Sequence, residues 1–482
     1  MSRKSFLPLP ALLMPALLMP ALLLAACAVP PRLGPAPELR ATGSAGASQS
    51  LAGQPAQAWP AERWWQAWGD PQLDALIGEA LAGNPDLAMA AARLAAADAA
   101  ARQSRASLGP TVSANAVAGG QQLSRNLGIP PQFVPPGVLE QGLINLQAGW
   151  TIDLWGQGRA ALRAARGEAA AVAVEAAQVR LMLAASVAAA YAEFGAALDA
   201  ERVAIRAEAI RRQTLDLTAQ RVAAGLDNDG ARAQAASRLA LAEAERIAAG
   251  QQVRVARHRL ALLLGAGPDR GLAIAPPALK PLPSGLPDDA AIGLMGRRPD
   301  LVAARLRAEA AGWRETAARR AFLPNVTLNA IIGQQSLGFD NLFDGGSRYA
   351  QFGPALNLPI LDGGRRAADL SATRASRAMA VAAHDATLLK ALNEVADAAG
   401  AVTALAGQDK AAQAALAQAR AAQKVALLRY QAGLSNQLLV LTADDAVVAA
   451  EQAATGIAAM RLQADVALVR ALGGGYRNEE AR

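Results

Sequence analysis

Few side chains in this 482-residue sequence are of types that do bond chemistry, and its single cysteine stands out among them. Cys27 closes the run Leu24-Ala25-Ala26-Cys27, behind Arg3, Lys4 and an apolar stretch from Leu12 to Leu24 that Pro15 and Pro20 interrupt. A positive n-region, an apolar h-region and small residues ahead of a cut make a secretory signal. A Cys directly after the cut suits acylation of its thiol, which would then head the mature chain; an ordinary signal with a chance Cys is the alternative. The two histidines, His258 and His384, both sit inside helical patterns, so no metal site can be assembled from soft ligands. No nucleophile–base pair, P-loop or dinucleotide fingerprint stands out, so neither an enzyme nor a cofactor is expected.

The remaining candidates act through shape and charge. Arg221-Val222-Ala223-Ala224-Gly225-Leu226-Asp227 and, 208 positions later, Arg429-Tyr430-Gln431-Ala432-Gly433-Leu434-Ser435 each lie where one long Ala-rich helical pattern stops and another starts. Each reads as the tip of a helical hairpin, with glycine supplying the positive φ that a helix C-terminus commonly needs. The tips are not equivalent: acids crowd the first at Asp227 and Asp229, and only the second carries Tyr430. Asp444 and Asp445 follow the second tip; a ring of such acids from several copies would repel itself and favour cations, and solvated helix-face charges are the alternative.

The elements that position these residues occur twice. At offset 214, Pro85-Asp86-Leu87 falls on Pro299-Asp300-Leu301, and Arg93, Pro110, Val112, Asn115 and Gly119 fall on Arg307, Pro324, Val326, Asn329 and Gly333. One unit of roughly 200 residues has been duplicated. Each copy opens with a helix signalled by a proline in the first turn. Two alternating strands follow, with Val112, Ala114, Ala116 and Ala118 opposite Thr111, Ser113 and Asn115 in the first. A helix then runs unbroken to the tip, 67 residues in the first copy, or roughly 100 Å at 1.5 Å per residue. The opening and return helices, 22 and 37 residues, together nearly match it, which is the arithmetic of one continuous helix beside two shorter ones. Short amphipathic helices near Pro71 and Pro287 precede the copies and pack sideways on the helical layer.

A content of 53% hydrophobic residues, with only 4% aromatic, suits long, closely packed helices. The net charge of +7 is scattered, with no basic cluster interleaved with aromatics, so nucleic acid is not an expected partner. Strands of about ten to twelve residues with period two match a transmembrane barrel, although a soluble sheet with one face on a core has the same period. Beyond the signal, no uninterrupted apolar run stands out as a spanning helix. Four strands cannot close a membrane barrel, so the chain must oligomerise: a dimer gives eight strands, a trimer twelve. Trp150, Trp155, Tyr349 and Phe352 could belong to an interfacial aromatic belt or to ordinary packing at the strand ends. Pro354 and Pro359 are unexpected within a strand, since each removes a ladder donor.

The lipobox, the paired Pro-Asp-Leu helices, Asp153-Leu154-Trp155-Gly156 with its counterpart Pro359-Ile360-Leu361-Asp362-Gly363-Gly364, and the twin Arg-x-x-x-Gly-Leu tips together resemble the TolC/OprM-like outer membrane factors. Trp64-Trp65 through Asp70-Pro71 to Asn84-Pro85-Asp86-Leu87 is similar to the NodT-type lipoprotein branch. The resemblance implies an α+β membrane protein, an internally duplicated homotrimer. Its 12-stranded outer-membrane β-barrel, four strands per chain, would be continuous with a long periplasmic α-helical barrel. It implies the exit duct of a tripartite, RND-type efflux system, joined by a periplasmic adaptor to an inner-membrane efflux transporter and held in outer-membrane lipid. By the same resemblance Gly225, Leu226, Gly433, Leu434 and Ser435 dock the adaptor and Tyr430 latches the closed gate. Ala231 and Thr442 depart from the family's acidic gate positions, which leaves Asp227, Asp229, Asp444 and Asp445 as the other gate candidates. A lipid-anchored periplasmic adaptor is the alternative, though that class resembles a single hairpin flanked by compact β-domains.

The expected organisation is a lipoprotein signal peptide at 1–26, a lipidated tether at 27–60 and a first repeat at 61–265. That repeat has strands near 111–121 and 143–155 and helices near 86–107, 158–224 and 228–264. A Pro-rich linker at 266–287 leads to a second repeat at 288–473, with strands near 325–337 and 349–361 and helices near 299–320, 364–432 and 435–472. A tail at 474–482 ends the chain.

Overall fold

The structure, a computed structural model, describes residues 30–41, 46–47, 49–124, 126, 130–280 and 285–478; Cys27 and the signal segment lie outside them. In chain order the main elements are α1 (Pro71–Gly83), α2 (Pro85–Ala106), β1 (Thr111–Gln122), β2 (Val138–Ile152), α3 (Gln157–Ala223) and α4 (Asp229–Leu263). The second half contributes α5 (Ala290–Arg297), α6 (Pro299–Arg320), β3 (Asn325–Leu337), β4 (Arg348–Asn357), α7 (Arg365–Gln431) and α8 (Gln437–Ala471). Both long helices, α3 and α7, have 67 residues, and both return helices, α4 and α8, have 35. Among the described residues one helix, α3, is by length and composition apolar enough to cross a membrane, and half of its most apolar 18-residue stretch is buried inside the protein.

The chain forms two compact units. Among the described residues the first comprises those within 30–38, 95–171 and 305–383. It holds one antiparallel sheet in the order β1-β2-β3-β4, so the two copies join through the β2–β3 pair. The register places Ala114 opposite Leu146, Leu146 opposite Ile332 and Ile332 opposite Ala350, which gathers the even-numbered apolar residues of all four strands on one face. Val112, Ile332 and Phe352 on this face are 70%, 62% and 86% exposed, so among the described residues most of it is uncovered, with Leu342 lying over Gly142 at the far end.

The opposite face is polar. Asn115 donates through Nδ2 to Asn145 Oδ1 at 3.1 Å, and Asn145 Nδ2 donates to the Tyr349 hydroxyl at 2.8 Å, two strands away. That span crosses β3 at Gly333, where an added Cβ would lie 2.3 Å from the Ile144 carbonyl oxygen and 2.5 Å from Asn145 Cβ. Tyr349 thus faces the polar side and is no part of an apolar belt. Trp150 and Trp155 are half-exposed at the helix-bearing end of the sheet, their indole N–H groups donating to Leu108 O at 2.9 Å and Pro324 O at 2.6 Å.

Two strand boundaries differ from expectation by four residues or more. β2 begins at Val138 rather than near 143, because its first residues continue the pairing with β1 out to Gln122. β4 ends at Asn357 rather than near 361: Leu358 precedes Pro359, which has no N–H to extend the ladder. Pro354 is accommodated opposite Leu328 because β4 is an edge strand, where a missing donor can face away from the pairing.

Where β2 and β4 give way to helices, one acid caps each turn. Asp153 accepts from the backbone N–H of Gly158 (3.2 Å) and Arg159 (2.8 Å), and Asp362 accepts from those of Gly364 and Arg366, both at 3.2 Å. Glu315 on α6 is buried and gathers Arg374 (3.0 Å) and Arg377 (3.1 Å) of α7. Arg374 also donates to the Gly34 carbonyl at 2.7 Å, and Leu33 packs on Ala318, Phe322 and Leu370, which fixes residues 33–34 against these helices.

The second unit comprises residues 39–94, 172–304 and from 384 onward. Its larger core packs Trp64, Trp65 and Trp68 with Leu73 and Ile77 of α1 against Val187, Tyr191 and Phe194 of α3 and Val253 and Leu260 of α4. Trp64 meets both other indoles edge-on at 5.8 Å. Asp70 caps α1 at Gln72 N (2.9 Å) and accepts the Tyr191 hydroxyl (2.8 Å) and Ala278 N (2.9 Å). The second core joins Leu294 and Leu301 to Leu388, Leu392, Val395 and Leu468. α1 and α5 are therefore the short helices expected near Pro71 and Pro287, each with its apolar residues in a core. The tether is pinned at Ala56 by a parallel bridge to Leu286, with Gln57 N to Leu286 O and Leu286 N to Pro55 O both at 2.9 Å.

Candidate functional site

The hairpin tips, both in the second unit, are built alike because the same local bonds recur at offset 208. In the first, Leu226 N donates to Arg221 O (2.8 Å) and Gly225 N to Val222 O (3.0 Å); in the second, Leu434 N donates to Arg429 O (2.8 Å) and Gly433 N to Tyr430 O (3.0 Å). These paired bonds make a Schellman ending with glycine at φ 71° in both. A Cβ on Gly225 or Gly433 would meet nothing within 4 Å, so within one chain the glycines serve the backbone conformation rather than close packing. The return helices start with Asn228 Oδ1 accepting Ala231 N (2.9 Å) and Asn436 Oδ1 accepting Leu439 N (3.1 Å). Leu226 and Leu434 project from the turns, 68% and 71% exposed.

Charge separates the two tips. Arg221 Nε reaches Asp227 Oδ2 at 3.4 Å, closing the first tip on itself, and Asp229 pairs with Arg232 at 3.1 Å. At the second tip Ser435 occupies the place of Asp227, so the Arg429 guanidinium has no ion pair among the described residues. The Ser435 hydroxyl is buried without a hydrogen-bond partner there. Tyr430 OH lies 3.5 Å from Gln437 Oε1, at the outer limit of a hydrogen bond within its own hairpin.

The other gate candidates have partners in the same chain. Asp445 on α8 pairs with Arg211 on α3, and Asp444 takes the Gln423 amide of α7. The Thr442 hydroxyl is spent on Leu438 O of its own helix, at 2.9 Å. Further along α8, Glu451 accepts from Arg206 of α3 at 2.9 Å and Arg420 of α7 at 3.0 Å. Apolar contacts run alongside: Val203 and Ile210 of α3 with Leu441 and Val448, and Leu416 of α7 with Val447 and Ala454. α8 is thus clamped both to its hairpin partner and to the long helix of the other copy. Sequence reasoning missed Arg206, Arg211, Arg420 and Glu451. Their helical setting was legible, but pairs such as Arg206–Glu451, 245 positions apart, carry no spacing signal.

Comparison with known proteins agrees with this architecture. Residues 76–266 and 294–474 match the family model described as outer membrane efflux protein, one match per repeat. The multidrug resistance outer membrane protein MdtP of Escherichia coli is 32% identical over 431 residues, covering 87% of each chain. Outer membrane protein OprJ of Pseudomonas aeruginosa is 34% identical over 415 residues, covering 84% of this chain and 85% of that protein. The crystal structure of the outer membrane protein VceC from Vibrio cholerae superposes with a TM-score of 0.79 at 37% identity, covering 87% of this chain and all of that one. The match covers both halves of the chain on a duplicated fold of sheet and helical hairpins, and the chain belongs to the outer membrane efflux protein family, a family of non-enzymatic transport ducts.

Proposed function

We propose that three copies of this chain assemble into the outer-membrane exit duct of a tripartite, RND-type multidrug efflux system. The observation that carries the reading is the sheet: four strands with two free edges, β1 and β4, an uncovered apolar face and a hydrogen-bonded polar face. Free edges are not tolerated in hydrocarbon, and about eight strands is the smallest membrane barrel. Closing β4 of one copy on β1 of the next in a trimer gives twelve strands, with the apolar faces toward lipid and the Asn115–Asn145–Tyr349 side lining the lumen. The helical hairpins extend this duct into the periplasm.

In this reading Gly225, Leu226, Gly433, Leu434 and Ser435 form the surface on which a periplasmic adaptor docks, and the adaptor links the duct to an inner-membrane transporter. The gate is the set of contacts that hold α8 and the tips: Tyr430, Asp227, Asp229, Asp444 and Asp445, with Arg211 and Glu451 added. The unpaired Arg429 of the second tip faces a natural complement in the acids of a neighbouring first tip. Opening then requires α8 to leave α3 while the self-closed first tip stays as it is. Cys27 is proposed to carry acyl chains, which mass spectrometry of the mature N-terminus tests.

The test of the duct is its state and place in the cell. A trimer in the outer-membrane fraction that dissociates on heating, with cross-links to an adaptor through cysteines placed at Leu226 and Leu434, is expected. A soluble or inner-membrane monomer would overturn the reading and favour a lipid-anchored adaptor.

A further inference from the structure

The two ends of the sheet differ in charge. All four strands meet their helices at the same end, as the pairings Thr111–Gly149 and Asn325–Asn357 require. Within ten residues of those strand ends the sequence places Arg102 and Arg105 before β1, Asp153 and Arg159 after β2, and Glu315, Arg319 and Arg320 before β3. After β4 come Asp362, Arg365 and Arg366, which makes seven arginines against three acids, a balance of +4. The connections at the other end, 123–137 and 338–347, hold Arg125 against Asp340 and Asp344, a balance of −1.

Several of the seven arginines are committed within the chain: Arg159 to Asp153, Arg366 to Asp362, Arg319 to Glu315, and Arg320 to the Gly156 carbonyl at 2.7 Å. Arg102, Arg105 and Arg365 are exposed, and their guanidinium groups have no hydrogen bond or ion pair among the described residues. Arg102 and Arg105 on α2 and Arg365 at the start of α7 converge on one sheet end. The same end carries the half-exposed indoles of Trp150 and Trp155 at the boundary of the apolar face. Interfacial tryptophans followed by unpaired arginines are the arrangement that seats a spanning structure in a charged headgroup layer.

We propose that this arginine collar binds the phosphate groups of anionic glycerophospholipids in the periplasmic leaflet and so fixes the depth of the sheet in the membrane. The proposal rests on the reading that the sheet spans the outer membrane. A guanidinium is suited to the role because it is always charged and presents its donors in a planar fork that matches phosphate oxygens.

The full-length protein is titrated in mixed micelles with phosphatidylglycerol and with phosphatidylcholine. The same protein is inserted into zwitterionic planar bilayers, as a separate readout of the duct. Phosphatidylglycerol is expected to bind at least about tenfold tighter, with the preference shrinking as ionic strength rises. The combined variant Arg102→Gln, Arg105→Gln, Arg365→Gln is expected to lose most of that preference while still conducting, and the corresponding Arg→Lys variant, which guards against a folding defect, to keep it. Equal binding of the two lipids by the unaltered protein, or a preference unchanged in the glutamine variant, overturns the proposal. So does a changed anion selectivity of that variant with its lipid preference intact, because the arginines would then line the lumen. A protein that binds phosphatidylglycerol selectively but gives no conductance refutes the duct reading and leaves the collar standing.

Discussion

Arg206 and Glu451 meet through two contacts, from Arg206 Nη1 to Glu451 Oε1 at 2.9 Å and to Oε2 at 3.1 Å, and so tie the long helix of the first repeat to the return helix of the second. Arg420 approaches the same carboxylate at 3.0 Å from α7. The Glu451 side chain is 13% exposed and both arginines are more open, so solvent screens the pairs and together they contribute about 1 kcal/mol. Glu451→Gln is expected to lower the resistance to unfolding only slightly and to raise the fraction of time the channel conducts, by up to about fivefold. Single-channel recordings check this; a variant with unaltered open probability removes Glu451 from the gate.

The acid sensitivity of the first unit follows from two arginine-paired carboxylates, the buried Glu315 and the part-buried Glu168. Burial pushes Glu315 up, but the bonds from Arg377 and Arg374 outweigh it and hold the carboxyl below the usual Glu range. Glu168 behaves likewise, its burial outweighed by Arg314 and Arg307. A depressed folded-state pKa stabilises the fold above the unfolded value, about 4.3, and that stabilisation is lost as pH falls through the folded value. Thermal melts are therefore expected to be level from neutral pH to about 5 and to fall steeply below about 4. Glu315→Gln should lower the neutral-pH melt and flatten the acid limb; an acid limb as steep as that of the unaltered protein would count against this account.

The tip glycines yield a local effect. Gly225→Ala and Gly433→Ala force a side chain into φ 71° with free space around it, so the cost is conformational, about 1 kcal/mol each, and smaller for Asn. Amide exchange at Leu226 or Leu434 is expected to quicken about fivefold in the Ala variants, with exchange in the Trp64–Trp68 core unchanged.

Exchanging the acid between the tips tests their asymmetry. Ser435→Asp places a carboxylate within reach of Arg429, as Asp227 stands to Arg221 at 3.4 Å, and should close the second tip on itself. Asp227→Ser should release Arg221. If Arg429 latches onto the acids of a neighbouring first tip, Ser435→Asp and Asp227→Ser each raise the leak conductance, the first by engaging Arg429 within its own hairpin and the second by removing one of its partners. Conductances in both variants equal to that of the unaltered protein would show that the tips act independently of these charges.

Gly333→Ala is expected to be among the most damaging single changes in the sheet. Its Cβ would lie 2.3 Å from the Ile144 carbonyl oxygen, so β2 and β3 must separate and Asn145 must give up Tyr349. A loss of about 2–4 kcal/mol is expected, read as a lower temperature at which the heat-modifiable form converts. Tyr349→Phe, which removes only the hydroxyl, should cost about 1 kcal/mol.

Whatever is encoded within a few residues was legible in the sequence alone. The duplication, the alternation of Val112 to Ala118, the proline-led starts of α2 and α6 and both glycine turns rest on bonds that close within five residues, or on a period that the chain itself displays. Pairings between the copies were not legible. That β2 joins β3, that Gly333 clears the path from Asn145 to Tyr349, and that Asp445 takes Arg211 depend on which helix and strand faces come together. A charged residue on an Ala-rich helix looks the same whether it meets solvent or a partner more than 200 positions away. Packing of α8 against both α3 and α7 decides between the two, because only that geometry brings the opposite charges within about 3 Å and partly out of water.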